Sequence, residues 1–212
     1  MLLSNTNTKR ALLIVDVQND FCEGGSLKVK NASEIIPRIN DLRKNHKFDL
    51  IVLSSDWHPK DHCSFHSNNP GSKLFEPFLL EKTQTNQVMW PDHCVQGTFG
   101  AEFHKDLVRE ETDIIIRKGT NPDVDSYSAF GTRPENTGLN EILQKNEIKT
   151  VYVVGLAYDY CVGSTALDAV KNGYETYLLT DCTKSVAENT QNEMEKKCID
   201  VNCKLITAND LN

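Results

Sequence analysis

The sequence predicts an α/β fold of three layers, in which a central, mostly parallel six-stranded sheet has helices on both faces. The main observation is an alternation along the chain. Short apolar runs, typical of strands buried on both faces, alternate with segments whose apolar residues have helical spacing. Such alternation favours parallel strands joined by helical crossovers. A second observation is that the 212 residues contain no internal repeat and no Gly/Ser-rich linker, which predicts a single domain over 1–212.

The first half of the chain supplies three predicted strands and two predicted helices. The strands are expected at 11–15 (ALLIV), 50–53 and 113–117. Ser33 is expected to cap a helix whose apolar residues have helical spacing, namely Ile35, Ile36, Ile39 and Leu42. A short helix is predicted at 101–108.

The second half repeats this order. Strands are predicted at 150–154, 174–179 and 204–207. Thr137 is expected to cap a helix that runs through Leu139, Ile142 and Leu143. Two more helices are predicted, at 160–172, closed by Gly173 as the C′ residue, and at 189–199.

A long irregular region at 56–100 interrupts the alternation. It is rich in Pro, Asn, Ser and Gly, and it holds His58, His62, His66 and His93, which are four of the six histidines. Structureless stretches of this length inside a domain are usually functional or mobile. We therefore expect this region to contribute to a site.

Composition excludes several classes of protein. The formal net charge of −7 disfavours sequence-independent binding to nucleic acid, which needs a basic face. The apolar run in the opening segment MLLSN is too short for a secretory signal or a membrane span. Seven scattered cysteines do not form a disulfide framework. These features predict a cytoplasmic protein with neither a membrane nor a nucleic-acid partner.

Chemically active side chains follow four of the predicted strands. Asp16 follows the first strand, Asp56 and His58 the second, Lys118 the third, and Cys161 lies in the segment GLAYDYC after the fourth. In an open parallel sheet the carboxyl ends of the strands share one edge, where ligands bind. We therefore expect an acid, a pair of metal ligands, a lysine and a thiol to converge there.

Each member of this group has a functional and a structural interpretation. Cys161 lies near the start of a predicted helix, where the macrodipole would lower the pKa of a thiol, but cysteine is also a common core residue. Asp16 is either the base that takes the thiol proton or a cap for the turn at Asn19 and Asp20. Lys118 either holds the thiolate and carboxylate ionised or is a solvated cation at the end of its strand.

The residues Asp56 and His58 form a D-x-H pair whose side chains share one side of an extended segment. Carboxylate and imidazole suit zinc, iron or manganese, and His93 is a plausible third ligand. Three protein ligands would leave an open metal site. His62 and His66 are possible additional ligands or supporting groups.

Three aromatic residues fall in the same loops. Phe21, Trp90 and Tyr127 together could sandwich a flat ring, although each alone is more typical of packing.

Five segments in order resemble the bacterial nicotinamidases (pyrazinamidases) of the isochorismatase-like cysteine hydrolase superfamily. The segments are IVDVQNDF, SSDWHP, WPDHCVQGTFGAEF, RKGTNPDVDSYSAF and GLAYDYCV. The match runs from Asp16 to about Asp181, nearly the whole chain. The resemblance implies an isochorismatase-like fold. It also implies an enzyme that deamidates nicotinamide to nicotinate and ammonia through a thioester on Cys161, that hydrolyses pyrazinamide as well, and that serves NAD salvage.

The resemblance also implies roles for individual residues. The catalytic triad would be Asp16, Lys118 and Cys161. The ligands of one divalent ion, zinc in the first place and iron or manganese otherwise, would be Asp56, His58 and His93. A cis peptide bond would join Leu156 to Ala157, and the N–H groups of Ala157 and Cys161 would form the oxyanion hole. The ring-binding positions would be Phe21, Trp90 and Tyr127.

The chain departs from the family in the turn before Cys161. Tyr158 stands where many relatives have Thr, which suggests a bulky aromatic side chain at the rim of the pocket. The helix at 189–199 has a face that could be either an interface in a homo-oligomer or ordinary surface.

Three other functions are compatible with parts of the sequence. One is a different amide or carbamoyl hydrolase, or an isochorismatase, but these generally lack the D-W-H and W-P-x-H-C metal elements found here. Another is a hydrolase that uses metal-bound hydroxide, with Cys161 purely structural. The third is a ligand-binding protein with a decayed site, against which stands the presence of every triad member.

Overall fold

Six parallel strands form one sheet in the computed structural model, which describes residues 8–211. In chain order the strands of the molecule are β1 (Arg10–Val15), β2 (Leu50–Asp56), β3 (Pro77–Leu80), β4 (Thr85–Val88), β5 (Ile114–Lys118), β6 (Thr150–Leu156), β7 (Glu175–Lys184) and β8 (Lys204–Ile206). The sheet has the order β5-β2-β1-β6-β7-β8, and every neighbouring pair in it is parallel. The opening segment MLLSN lies outside the described residues.

Helices cover both faces of this sheet, which confirms the predicted three-layer fold. They are α1 (Ile35–Asn45), α2 (Leu139–Lys145), α3 (Gly163–Lys171) and α4 (Glu188–Asp200). The apolar side chains of α1 pack on one face, and those of α2, α3 and α4 pack on the other. Among the helices of residues 8–211, none has the length and apolar character needed to cross a membrane.

The central strand β1 explains why its sequence is an unbroken apolar run. Leu12 and Ile14 belong to the core on the α1 side, whereas Ala11, Leu13 and Val15 belong to the core on the opposite side. A strand buried on both faces has no polar side to alternate with. The apolar run therefore ends where the strand ends, and polar side chains follow it in the sequence.

The predicted helix at 101–108 is wrong, because the backbone of this segment bonds to other parts of the chain. Only a 3₁₀ turn at Phe99–Ala101 is present. The His104 N–H donates to the Val17 carbonyl at 2.9 Å, and the Val108 N–H donates to Asn40 Oδ1 on α1 at 2.9 Å. These contacts replace the i to i−4 bonds that a helix would need.

Two smaller expectations also differ from the structure. Ser33 lies inside a 3₁₀ turn, Ala32–Glu34, that precedes α1, and its hydroxyl donates to the Glu23 carboxylate instead of capping the helix. The region 56–100 is not wholly irregular, because β3 and β4 form an antiparallel hairpin in it. The hairpin strands are largely exposed, so no apolar alternation marks them in the sequence.

Candidate active site

The carboxyl edge of the sheet brings together the four side chains that the sequence placed after separate strands. Asp16 follows β1, Asp56 ends β2, Lys118 ends β5, and Cys161 lies five residues beyond the end of β6. The parallel register pairs Asp56 directly with Lys118. All four side chains are buried. Donor atoms of Asp16, Asp56 and Cys161 all lie within 4.8 Å of one another.

Lys118 stands at the centre of this group. Its Nζ lies 2.5 Å from Asp56 Oδ1, 2.9 Å from Asp16 Oδ2, 2.9 Å from the Ser126 carbonyl and 3.4 Å from Cys161 Sγ. Burial alone would lower the pKa of Lys118, but the two carboxylates raise it well above its ordinary value. The lysine is therefore a charged group held inside the protein and not a solvated cation at a strand end.

Asp16 faces the same cluster. Its backbone has a φ of 49°, and its Oδ1 accepts a hydrogen bond of 2.7 Å from the Ser54 hydroxyl. The carboxylate therefore points at Ser54 and Lys118, and the alternative that it caps the turn at 19–20 is wrong. Burial raises the pKa of Asp16 to about 6, against the opposing effect of Lys118. A carboxyl group with this pKa can take and return a proton near neutral pH.

Cys161 lies in a π-helical turn, Tyr158–Val162, between β6 and α3. Burial raises the pKa of the thiol well above its ordinary value; Lys118 opposes this effect, and Asp16 adds to it. The expectation of a pKa lowered by the helix is therefore wrong, since burial and nearby carboxylates outweigh the ammonium. The resting group is a thiol, and forming the thiolate requires a base in contact with it.

Asp56, His58 and His93 meet beside this cluster, with donor atoms within 4.8 Å of one another and all three residues buried. The Nδ1 atoms of both histidines contact backbone carbonyls at 2.8 Å, those of Gly119 and Pro91. A proton on Nδ1 leaves each Nε2 as a lone-pair donor. One carboxylate and two imidazoles, which bind a metal in their neutral forms, are a donor set that fits zinc, iron or manganese. Burial lowers the pKa of His93 to about 4, which favours its neutral form.

The two further histidines have different surroundings. The ring of His62 stacks on that of His58 with centroids 4.0 Å apart, and its Nδ1 contacts Ser64 Oγ at 2.8 Å. Within residues 8–211, His62 Nε2 is buried without a hydrogen-bond partner, and His62 forms a second group of possible ligands with His58 and Asp125. His66 contacts the Ser72 hydroxyl and belongs to none of the ligand groups found in the described part of the chain.

The three predicted aromatic residues line one pocket with Cys161. Phe21, Trp90 and Tyr127 all border it, and Trp90 Nε1 donates to the Tyr127 hydroxyl at 3.1 Å. Five other residues of this lining were not predicted from the sequence, namely Leu27, Val29, Asp125, Tyr160 and Val186. Of these, only Tyr160 had a local signal, because it adjoins Cys161.

The turn before Cys161 agrees with one expectation and corrects another. The peptide bond between Leu156 and Ala157 is cis, and Ala157 borders the pocket. Tyr158, however, is not at the pocket rim. Its side chain is buried in the core on the α4 side, near Cys198 and Cys203. The departure from the family at Tyr158 therefore changes core packing and not the shape of the pocket.

Known proteins with similar sequences and structures identify the family. The isochorismatase domain family matches residues 10–210. A nicotinamidase of Acinetobacter baylyi is 47% identical over 181 residues, covering 84% of this chain and 83% of the relative. A nicotinamidase/pyrazinamidase structure from Acinetobacter baumanii has a TM-score of 0.91 and 43% identity, covering 98% of this chain and 100% of that one. A Pyrococcus horikoshii pyrazinamidase, solved in complex with zinc, has a TM-score of 0.79 and 37% identity, covering 94% and 99%. The chain therefore belongs to the isochorismatase family and, within it, to the nicotinamidases.

Proposed function

We propose that this enzyme hydrolyses nicotinamide to nicotinate and ammonia, and that the nicotinoyl group passes through a thioester on Cys161. The observation that carries the proposal is the buried contact of one ammonium with a thiol and two carboxylates, with Lys118 Nζ 3.4 Å from Cys161 Sγ and 2.9 Å from Asp16 Oδ2. Relatives named nicotinamidases support the choice of substrate.

The proposed reaction begins with proton transfer from Cys161 to Asp16. The thiolate attacks the carboxamide carbon, and the resulting oxyanion accepts hydrogen bonds from the backbone N–H groups of Ala157 and Cys161. Single donors of this kind are typically worth about 3–4 kcal/mol in the transition state. Asp16 then gives its proton to the leaving ammonia. In the second half, Asp16 takes a proton from water, the hydroxide attacks the thioester carbonyl, and the C–S bond breaks to release nicotinic acid, which ionises to nicotinate. Asp16 then returns its proton to the Cys161 thiolate, which restores both groups.

Lys118 has an electrostatic role in both halves. As a permanent ammonium it offsets the charge of Asp16 when that group is ionised and the charge of the thiolate when Asp16 is protonated. In either state one of these two groups carries a negative charge next to the Lys118 ammonium. The ammonium therefore stabilises both charged states in this buried cluster.

Asp56, His58 and His93 are the residues that would hold a divalent ion, zinc in the first place and iron or manganese otherwise. An ion held by these residues would supply a Lewis acid at the pocket, able to orient a ring that carries a lone-pair nitrogen. Phe21, Trp90 and Tyr127 would bind the faces and edges of that ring. Pyrazinamide has the same ring shape and carboxamide, and we include it among the substrates. Nicotinate as product would place the enzyme in NAD salvage.

The covalent step can be tested directly at Cys161. Rapid quenching during turnover of nicotinamide should trap a nicotinoyl adduct, seen as a mass increase on the peptide that contains Cys161. Replacement Cys161→Ala should lower kcat by at least about 10⁴-fold, the scale seen for lost nucleophiles, without unfolding the protein. Cys182→Ala is a matched control, because Cys182 is buried outside the pocket lining. Retained turnover in Cys161→Ala would exclude the thioester route.

The substrate class needs a separate measurement. Ammonia release should be compared for nicotinamide, pyrazinamide and a non-aromatic amide of similar size. The aromatic lining predicts a strong preference for the two ring amides. A non-aromatic amide as the best substrate would assign the enzyme to another amide hydrolase activity of the family.

A further inference from the structure

A buried carboxylate lies in the π-helical turn Tyr158–Val162, between the two residues whose N–H groups are the proposed oxyanion donors. Asp159 is two residues after Ala157 and two residues before Cys161, and it is 5% exposed. The hydrogen-bond donors that the structure shows for it within residues 8–211 come from residues 186–190, a segment whose first residue, Val186, lines the pocket. The contacts are Val186 N–H to Oδ1 at 3.0 Å and to Oδ2 at 3.1 Å, Ala187 N–H to Oδ2 at 3.1 Å, and Thr190 Oγ1 to Oδ2 at 2.5 Å.

These donors belong to the segment that connects β7 to the start of α4. Ala187 is the N-cap residue of α4 and has no side-chain oxygen, and its backbone N–H donates to the carboxylate of Asp159, 28 residues away in sequence, which ties the start of α4 to the turn that carries Cys161. Val186, which donates to the same carboxylate, is also part of the pocket lining. Asp159 thus joins two walls of one pocket, the wall that carries the nucleophile and the wall formed by Val186.

The chemistry of the contacts requires a carboxylate. Every hydrogen-bond partner of Asp159 found among residues 8–211 is a donor, and an ionised carboxylate is a pure acceptor with two oxygens. An amide in its place would present an NH₂ group to at least one of those donors. The substitution Asp159→Asn therefore keeps the size of the side chain and disrupts the link between the two walls.

Backbone hydrogen bonds within the turn connect the position of Asp159 to the positions of Ala157 and Cys161. The N–H groups of Tyr160 and Val162 both donate to the Ala157 carbonyl, at 3.1 and 3.0 Å. The turn is thus a small closed unit, and a shift of Asp159 would move Ala157 and Cys161 together. Both residues border the pocket.

We propose that Asp159 is a positioning residue of this hydrolase, which fixes the N–H groups of Ala157 and Cys161 where the tetrahedral oxyanion forms. The inference rests on the proposed function, because it assumes that these two groups bind the oxyanion. If Asp159 has this role, its replacement destabilises the transition state more than it weakens the binding of planar ligands.

The test compares a tetrahedral ligand with a planar one. Nicotinaldehyde can add the Cys161 thiol to form a thiohemiacetal whose oxygen occupies the oxyanion position, whereas nicotinate binds the pocket without such an adduct. In Asp159→Asn we expect kcat with nicotinamide and the affinity for nicotinaldehyde to fall in parallel, by about 10-fold or more, part of the loss known for a removed oxyanion donor. KM and the affinity for nicotinate should change by less than about threefold.

Two further variants keep the test decisive. Asp210→Asn is a matched control, because Asp210 also accepts a backbone N–H and a hydroxyl, both from Thr207, at the start of a short helical turn outside the pocket lining. It should leave all four quantities unchanged. If Asp159→Asn does not fold, Thr190→Val removes one donor and retains the carboxylate, and it should produce a smaller shift in the same direction.

The outcomes separate this inference from the proposed function. A wild-type enzyme that releases no ammonia from nicotinamide would overturn the proposed function. An active wild type, combined with a folded Asp159→Asn whose kcat is unchanged, would overturn only the role of Asp159. Equal losses of affinity for nicotinaldehyde and nicotinate would also overturn it, because they would indicate a general structural role.

Discussion

The electrostatics of the site depend on a single residue, Lys118. Its buried ammonium touches Asp16 and Asp56, so the site holds two carboxylates around one cation. Removing one partner of a buried ionic cluster leaves the others uncompensated, which is far more costly than losing an exposed ion pair. The same residue therefore supports the fold and, in the proposed reaction, the chemistry.

The substitution Lys118→Met should show both effects. We expect a loss of about 3–5 kcal/mol in the free energy of unfolding, measured by urea denaturation, and no measurable turnover. Lys82→Met is the matched control, because Lys82 pairs with Asp123 at the surface and 75% of its side chain is exposed. The control should lose less than about 1 kcal/mol. Similar losses in the two variants would show that the buried cluster does not depend on its cation.

The raised pKa of Asp16 predicts the acid side of the pH profile. In the proposed reaction Asp16 must be ionised to take the thiol proton, and its pKa of about 6 lies above the ordinary value because of burial. As the pH falls through about 6, Asp16 gains a proton and kcat/KM for nicotinamide should decrease tenfold per pH unit. Metal content, measured at each pH, separates this effect from loss of the ion. A flat profile down to pH 5 at constant metal content would contradict the role of Asp16 as base.

The sequence could indicate which residues converge but not their ionisation. Asp16, Lys118 and Cys161 were found because each follows an apolar run, and strand ends share an edge. The pKa of Cys161 was predicted with the wrong sign, because burial and the neighbouring carboxylates arise only from the tertiary structure. Val186 was missed for the same reason, since its place in the pocket depends on contacts between distant segments.

Among the secondary-structure elements, β6 can approach β1 closely at Gly155, just before the π-helical turn that carries Cys161. Its φ is 117°, and a Cβ added there would clash with the Val15 backbone. The register between β6 and β7 also shifts between Val153 and Gly155. We infer that the close approach of the two strands at this point requires glycine.

Gly155→Ala should destabilise the protein by about 2–4 kcal/mol, since both the backbone conformation and the contact with Val15 are unfavourable for alanine. Gly173→Ala is the control. Gly173 also has a positive φ, of 87°, but an added Cβ would meet nothing within 4 Å, so only about 1 kcal/mol should be lost. Thermal and urea unfolding of both variants provide the measurement. Equal losses would show that the contact with Val15 contributes nothing.

Strands and helices were predicted correctly where burial gives the sequence a pattern of apolar residues. They were predicted wrongly, or not at all, where it does not. The six strands of the sheet and the four helices were all anticipated, because their apolar faces are continuous or regularly spaced. The segment 101–108 has apolar residues too, but its N–H groups bond to Val17 and to Asn40 on α1. The hairpin of β3 and β4 is mostly solvent-exposed and therefore left no pattern.

At the scale of the whole molecule, the proposed metal ligands connect separate parts of the fold. Asp56 ends a strand of the sheet, whereas His58 and His93 come from the connection between β2 and β5. Only the folded chain brings these donors within 4.8 Å of one another. An ion bound there stabilises the folded state over the unfolded one by mass action, by about 2.7 kcal/mol at a free ion concentration 100 times Kd.

Removal of the ion should therefore lower the melting temperature by about 5–10 °C in a chain of this size, as measured by calorimetry before and after dialysis against a chelator. Addition of zinc should restore it. His58→Ala should melt at a lower temperature and no longer respond to chelator or zinc, because it lacks one of the three donors. His66→Ala should respond as the wild type does, because His66 lies outside the ligand groups found among residues 8–211. A full response to zinc in His58→Ala would place the ion elsewhere in the molecule.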